Sequence, residues 1–334
     1  MKIVAPISRV EEAAIFARQG ADELFFGVIP QEWTKRFGRF TANRRSANNL
    51  DSLADVAEVV EQVHSVGKRT SVALNGTTHT AEQAAFVVEL ATALVEKGVD
   101  ALIIGDIQVL AILQPLQLPV RIHISSTASC RNVPTARLMQ KWGADRIILP
   151  RHTSLEEIRV LASGVPDLEF EAFVLNDGCP YEEGLCHSLH LPTELGGPLC
   201  FESFDSSVER LDGQPESADE RKLINHNAAR YGQWRWSKFS RGFTTTASGQ
   251  PYGPCGLCAI PLLKEMGIEH IKIAGRDGNP ERKQRSLEMV GEIAAQTEDA
   301  VDCRDIMHFA RHIRGEPELC QNSDMCYYPE VVTK

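Results

Sequence analysis

Short apolar runs recur along the chain, separated by longer amphipathic segments. Lys2–Ala5, Glu23–Phe26, Arg69–Leu74, Ala101–Ile104, Val120–Ile124, Arg146–Leu149, Phe170–Leu175 and His270–Ile273 read as buried strands. Between them, Val10–Gln19, Leu53–Val66, Ala81–Lys97, Pro134–Trp142, Leu155–Leu161 and Ala259–Met266 carry helical spacing. Gly20, Gly67, Gly98, Gly143 and Gly267 follow these segments at the place of a C-cap. Polar and basic residues from Gln31 to Asn49 predict a long loop. Eight strands alternating with helices predict parallel βαβ units closed into a (β/α)8 TIM-type barrel. A doubly wound open sheet is the alternative; no GxGxxG follows an early strand, so the usual dinucleotide site is not expected.

The pattern divides the chain into four parts. Residues 1–175 carry strands one to seven, and 176–258 form a cysteine-bearing insert after strand seven. Residues 259–300 complete the barrel, and 301–334 are a cysteine-containing tail. Within the insert, residues 201–250 are polar and Ser-rich, too long for an ordinary loop, and predict a lid over the barrel mouth.

Composition narrows the setting. The chain has 334 residues, 43% hydrophobic, with a net charge of −10, which argues against a broadly basic nucleic-acid surface. No apolar signal region opens the sequence, and no apolar run is long enough to span a bilayer. A cytoplasmic protein is expected, in which the nine cysteines are reduced thiols and candidate ligands.

Groups just past the strand ends of such a barrel share one face, the usual place of chemistry. Here they are Asn75, Asp106, His123, Ser125, Arg151, Asn176 and Arg276, with Arg44 and Arg45 in a neighbouring loop. Asp106, His123 and Arg151 are candidate catalytic groups. Asp106 could instead cap a helix, and His123 could be a core residue. Arg44, Arg45, Asn75, Ser125, Asn176 and Arg276 are candidate substrate ligands. Arginine forks bind carboxylates, so an anionic small molecule is expected at the mouth.

Five cysteines, Cys179, Cys186, Cys200, Cys255 and Cys258, lie in Gly/Pro-bearing turns of the insert. Four soft thiolates suit an iron–sulfur cluster, most simply 4Fe–4S, or zinc; three would leave one iron open to substrate. Cys255, Cys303, Cys320 and Cys326 could form a second metal site, serve as alternative ligands, or be bystanders, and Cys130 is expected to pack in the core. Between Arg221 and Arg241, basic residues alternate with Tyr231, Trp234, Trp236 and Phe239. Such a stretch can stack RNA bases, but the acidic total favours a lid whose aromatics pack on the barrel.

Several stretches resemble the peptidase U-32 family: GADELFFGV at 20–28, RIHISSTASCRN at 121–132, ADRIILPRHTSLEEI at 144–158 and HIKIAGR at 270–276. The resemblance implies an iron–sulfur protein of oxygen-independent hydroxylation, acting on a ubiquinone precursor or RNA bases, with prephenate as oxygen donor. It implies Cys179, Cys186, Cys200 and Cys258 as the 4Fe–4S ligands, and a heteromeric partner of the same family. The family label also implies a peptidase. No HExxH and no GxSxG occurs here, and Ser125, Ser126 and His123 on one strand do not build a triad. A non-catalytic module stapled by a metal is the third reading.

Overall fold

The computed structural model describes residues 1–38, 43–45, 47–179, 181–186, 200, 207–236, 244–297, 303–321 and 323–332. Eight parallel strands close into a barrel in sequence order: β1 (Lys2–Pro6), β2 (Glu23–Gly27), β3 (Arg69–Leu74), β4 (Ala101–Ile104), β5 (Arg121–Ile124), β6 (Arg146–Ile148), β7 (Glu169–Leu175) and β8 (His270–Ile273). The β1–β8 ladder, with Ile3 opposite Ile271, closes the ring and excludes the open sheet. The helices are α1 (Glu11–Arg18), α2 (Gln31–Phe37), α3 (Leu53–His64), α4 (Ala81–Glu96), α5 (Ile107–Leu113), α6 (Val133–Lys141), α7 (Leu155–Gly164), α8 (Ala218–Arg235), α9 (Ile260–Glu265), α10 (Pro280–Gln296) and α11 (Cys303–Arg314). Side-chain caps start several of them; Thr80 and Ser154 each form a reciprocal capping box, with Gln83 and Glu157.

Five helices, α2, α5, α8, α10 and α11, lie outside the segments read as helical, and three of them show why. The expected loop after Gln31 begins with α2, which is fixed by one anchor. Trp33 is buried, 4.8 Å from Phe37 and edge-on to Phe86. A single anchoring ring leaves no periodicity to read. The second helix, α5, is short and mostly apolar, and Asp106 caps it by accepting from the Gln108 N–H at 2.8 Å. The third, α8, has no buried residue, so no apolar stripe marked it.

Alternate barrel residues point inward and form a charged layer. Arg146 donates to Glu23 and Glu171, both at 2.9 Å, and to His270 Nε2 at 2.8 Å. Lys272 donates to Glu171 at 2.7 Å, and Ser71 to Glu23 at 2.6 Å. Glu23, His123 and Glu171 bring ligand atoms within 4.8 Å of one another. The two carboxylates are nevertheless balanced by Arg146 and Lys272, so the layer is a closed ion-pair network. An apolar tier that includes Phe25, Ile148 and Phe173 lies above it and lines the mouth.

The end of the insert and the tail are sewn to β7. The Asn176 N–H donates to Pro254 O and the Gly256 N–H to Val174 O, while the Cys255 N–H donates to Met325 O and the Tyr327 N–H to Cys255 O. Cys255 therefore bridges Leu175 on one side and Cys326 on the other. The ladder register shifts between Phe173 and Leu175, so β7 carries an irregularity where this attachment begins.

The buried histidines set an acid limit. Burial, then Arg146, pushes His270 down to about 4. The same two causes, in the same order, hold His123 well below its ordinary value. The unfolded chain protonates both near pH 6.5, so between about pH 6.5 and 4.5 it carries more protons than the fold. Stability must therefore fall as pH falls through that window, by up to about 1.4 kcal/mol per pH unit per histidine. Urea unfolding at stepped pH should show this slope, and His270→Gln should remove about half of it. A slope unchanged in the variant would contradict the assignment.

Candidate functional site

The mouth cavity, about 80 Å3, opens at the C-terminal ends of the strands. Many of the wall residues are delivered by strand exits. Asn75 follows β3, Ser125, Ser126 and Thr127 follow β5, Arg151 follows β6, Asp177 follows β7, and Gly275 and Arg276 follow β8. Arg44 and Arg45 reach in from the loop after α2, and Glu183 from the first turn of the insert.

Glu183 locks the insert to the barrel. It is buried, accepts from Ser126 Oγ at 2.6 Å and the Arg151 N–H at 3.0 Å, and pairs with the Arg151 guanidinium. Arg151 also donates to Asp177 O at 2.6 Å and lies over the Phe173 ring at 3.9 Å. Burial opposes its charge, but Glu183 outweighs that and holds Arg151 above its ordinary range. Arg44 Nη1 donates to Glu183 O at 2.9 Å. The insert turn can come this close because residue 184 is glycine: a Cβ there would meet Thr127 O at 2.4 Å.

On the opposite wall, Arg45 pairs with Asp177 at 3.1 Å and with Asp277. Arg276 is less well served. It is 5% exposed, donates from Nη2 to Asn43 Oδ1 at 3.3 Å, and keeps Nη1 buried without a hydrogen-bond partner. Burial, then the charge on Arg45, pushes it down to about 9. Gly27 makes room for this arrangement, since a Cβ there would lie 2.2 Å from Arg276 Nη1. A buried cation with an unused donor beside a second cation is a seat for an anion.

The cysteines fall into two neighbourhoods. Cys179 lies by Glu183, Arg151 and Arg44; burial, then Glu183, pushes its thiol up to about 11 against the pull of the arginines. Burial, then Cys186, raises Cys200, which also feels Arg44. Residues 187–199 and 201–206 of this loop lie outside the described residues. Cys255, Cys258, Cys320 and Cys326 instead line a separate pocket between α9, α11 and the tail. Cys258 is raised by burial first, then by Cys255, Cys320 and Cys326. The Cys303 side chain lies outside the described residues. Cys130 is buried in the apolar core.

The sequence profile described as peptidase family U32 matches residues 8–325. The chain belongs to peptidase family U32. "tRNA hydroxylation protein P1" of Bacillus subtilis (strain 168) is 25% identical over 97% of this chain and 69% of its own length. "tRNA hydroxylation protein P" of Escherichia coli (strain K12) is 35% identical over 42% of this chain, and "23S rRNA 5-hydroxycytidine C2501 synthase" of the same organism 31% identical over 56%. These two matches span 31% and 26% of the respective relatives, so the chain covers under a third of each E. coli protein.

In this U32 chain the mouth gathers Arg44, Arg45, Asn75, Ser125, Arg151 and Arg276. Three other candidates lie elsewhere. Asp106 caps α5 and binds His79 Nδ1 at 2.9 Å, so its carboxylate is occupied by the helix and not directed into the cavity. His123 lies in the charged layer, close to Glu23 and Glu171. Asn176 turns away, donating to Ser286 Oγ at 2.9 Å. Sequence reading missed Asp177, Glu183, Ser126, Thr127 and Lys272. Ser126 and Thr127 sit directly past β5 and were legible by position; Glu183, in an aperiodic loop, had no signal beyond lying between two cysteines.

The mouth predicts a ligand effect. A dicarboxylate that pairs with Arg276 should raise Tm, by the equivalent of about 2.7 kcal/mol at 100 times its Kd. Arg276→Met should abolish that shift without lowering the ligand-free Tm, because the cation it removes is buried and poorly compensated. Thermal denaturation with and without dicarboxylate checks both statements.

Proposed function

We propose that this U32 chain takes part in the oxygen-independent hydroxylation of a base in RNA, using an iron–sulfur centre and an anionic oxygen donor at the barrel mouth. The observation that carries the reading is the alignment of nearly the whole chain with a tRNA hydroxylation protein. The donor chemistry is compatible with it. Soft thiols cluster in the insert and around the tail pocket, where either iron–sulfur or zinc would be at home by ligand type. Cys179, Cys186 and Cys200 are the ligands proposed beside the mouth. When bound, an iron–sulfur centre supplies electron exchange and a Lewis-acidic iron.

The chain's own residues supply recognition. Arg276 and Arg45 hold the carboxylates of a donor of the prephenate class, and Arg151, braced by Glu183 and Phe173, fixes its orientation. Exchanging the donor's hydroxyl for a hydrogen of the base balances the reaction: the base loses two electrons and the donor carbon gains them. α8 carries Arg230 and Arg235 within one turn of half-exposed Tyr231, with half-exposed Trp236 at its end and Arg221 and Lys222 nearer its start, a surface suited to stacking single-stranded bases. Lys238, Phe239 and Arg241 lie outside the described residues. Against peptide hydrolysis, no histidine or cysteine lines the mouth among the described residues, and Ser126 is engaged by Glu183.

The test is nucleoside mass spectrometry of tRNA and rRNA from cells with and without this chain. A hydroxylated nucleoside should vanish in its absence and return with the wild type, but not with Cys179→Ala or Arg151→Met. Unchanged nucleosides would refute the reading. Hydroxylation that persists at full level in a folded Cys179→Ala protein would assign the insert cysteines a structural role only.

A further inference from the structure

The tail pocket gathers four cysteines from two distant parts of the chain. Cys255 and Cys258 form a Cys-x2-Cys turn at the entry to α9, and Cys320 and Cys326 come from the two short turns that follow α11. Chain separation is large, yet the backbone brings the pairs together. Cys255 donates its N–H to Met325 O at 2.7 Å and receives the Tyr327 N–H at 2.9 Å, which sets Cys255 directly beside Cys326. All four cysteines line one cavity otherwise walled by Leu319, Met325, Tyr328 and Val332.

Two arginines also face that cavity, Arg311 and Arg314. Arg314 is 1% exposed; Nη2 donates to Gly253 O at 3.1 Å, and Nη1 is buried without a hydrogen-bond partner. A buried cation with an unused donor requires a nearby negative charge. Glu316 feels Arg314 from outside the pocket, but the neutral thiols that line the pocket supply no charge of their own. Four thiolates around a metal centre do, with a net charge of about −2 for either a 4Fe–4S cluster or zinc.

Spacing separates those two. Four-thiolate zinc, with bonds of about 2.3 Å, holds its sulfurs about 3.8 Å apart. Among the described residues the only trio of ligand atoms within 4.8 Å of one another is Glu23, His123 and Glu171, so the cysteines stand wider than a single ion needs. A cubane cluster, which binds each thiolate at a different corner, takes the wider arrangement.

We propose that Cys255, Cys258, Cys320 and Cys326 bind a 4Fe–4S cluster of their own, distinct from the centre beside the mouth. Cys258 then belongs to the tail pocket and not to the set with Cys179, Cys186 and Cys200. That last consequence rests on the reading of the insert as an iron–sulfur site; the tail cluster itself does not.

Iron and acid-labile sulfide are measured per chain after anaerobic purification and reconstitution, with Mössbauer spectra. The variant Cys179→Ala/Cys186→Ala/Cys200→Ala should retain about four iron and four sulfide with a 4Fe–4S signature. Adding Cys320→Ser should remove them. Zinc in place of iron, no metal in a chain whose circular dichroism is native, or a disulfide among the four would overturn the proposal. Should the triple variant not fold, Cys320→Ser/Cys326→Ser in the otherwise wild-type chain decides: iron and sulfide should drop by about four per chain, and an unchanged content overturns it. RNA hydroxylation is read separately, so its absence with four iron still bound at the tail would strike the functional reading and leave this one standing.

Discussion

Both pockets depend on the backbone pairing around Cys255. β7 ends at Leu175, and the chain leaves the barrel for some eighty residues before it comes back alongside its own exit. The return strand segment is short, and it is held from both sides, by Val174 and Asn176 on the barrel and by Met325 and Tyr327 in the tail. Gly256 allows this because a Cβ there would press on the Tyr328 ring at 2.9 Å. Tyr328 in turn donates to Phe173 O at 3.0 Å, and Tyr327 donates to Asn176 O. The tail is thus a structural wall behind the barrel mouth. Burial raises both tyrosines far above their ordinary range, so they act as fixed neutral donors.

The barrel handles buried charge in two ways. Deep inside, cations and carboxylates pair directly, although both His123 nitrogens and His270 Nδ1 make no hydrogen bond, and Arg146 alone serves Glu23, Glu169, Glu171 and His270. Such a network costs desolvation but leaves little for a ligand to gain. At the mouth the match is incomplete. Arg151 and Arg45 have carboxylate partners, while Arg276 keeps a buried donor without one. A net acidic chain therefore contains a local cationic focus, which the total of −10 concealed.

Much of the barrel was legible because its strands are buried on both faces and read as apolar runs, and because glycine marks the helix ends. α2 and α8 were not, since one rests on a single tryptophan and the other has no buried face. The arginines of the mouth were legible as residues following strands. Their partners were not: Glu183 and Asp177 acquire meaning only when the insert folds back. His123 shows the limit of position alone, since one residue of depth separates the apolar tier under the mouth from the charged layer beneath it. For Cys258 the family resemblance implied a place with Cys179, Cys186 and Cys200; in the fold it lines a pocket with Cys320 and Cys326, more than sixty residues later in the chain.

The two pockets differ in what they can hold. The mouth mixes arginines with Asp177, Glu183 and hydroxyls, so a guest there must be polar and must offer acceptors to some groups and donors to others. The tail pocket offers sulfur, hydrocarbon and two arginines, which suits a compact anionic centre and little else. Between them stand Phe173, Tyr327 and Tyr328, with ring centroids 6.3 and 6.2 Å apart. This layer is one side chain thick on each face: Arg151 lies on Phe173 from the mouth, and Tyr328 lines the tail pocket. A tail built largely of short turns has few regular hydrogen bonds of its own to hold such a wall in place. Binding of four thiolates by one centre would tie α9 to the tail directly, and so fix the aromatic layer that forms the back of the mouth.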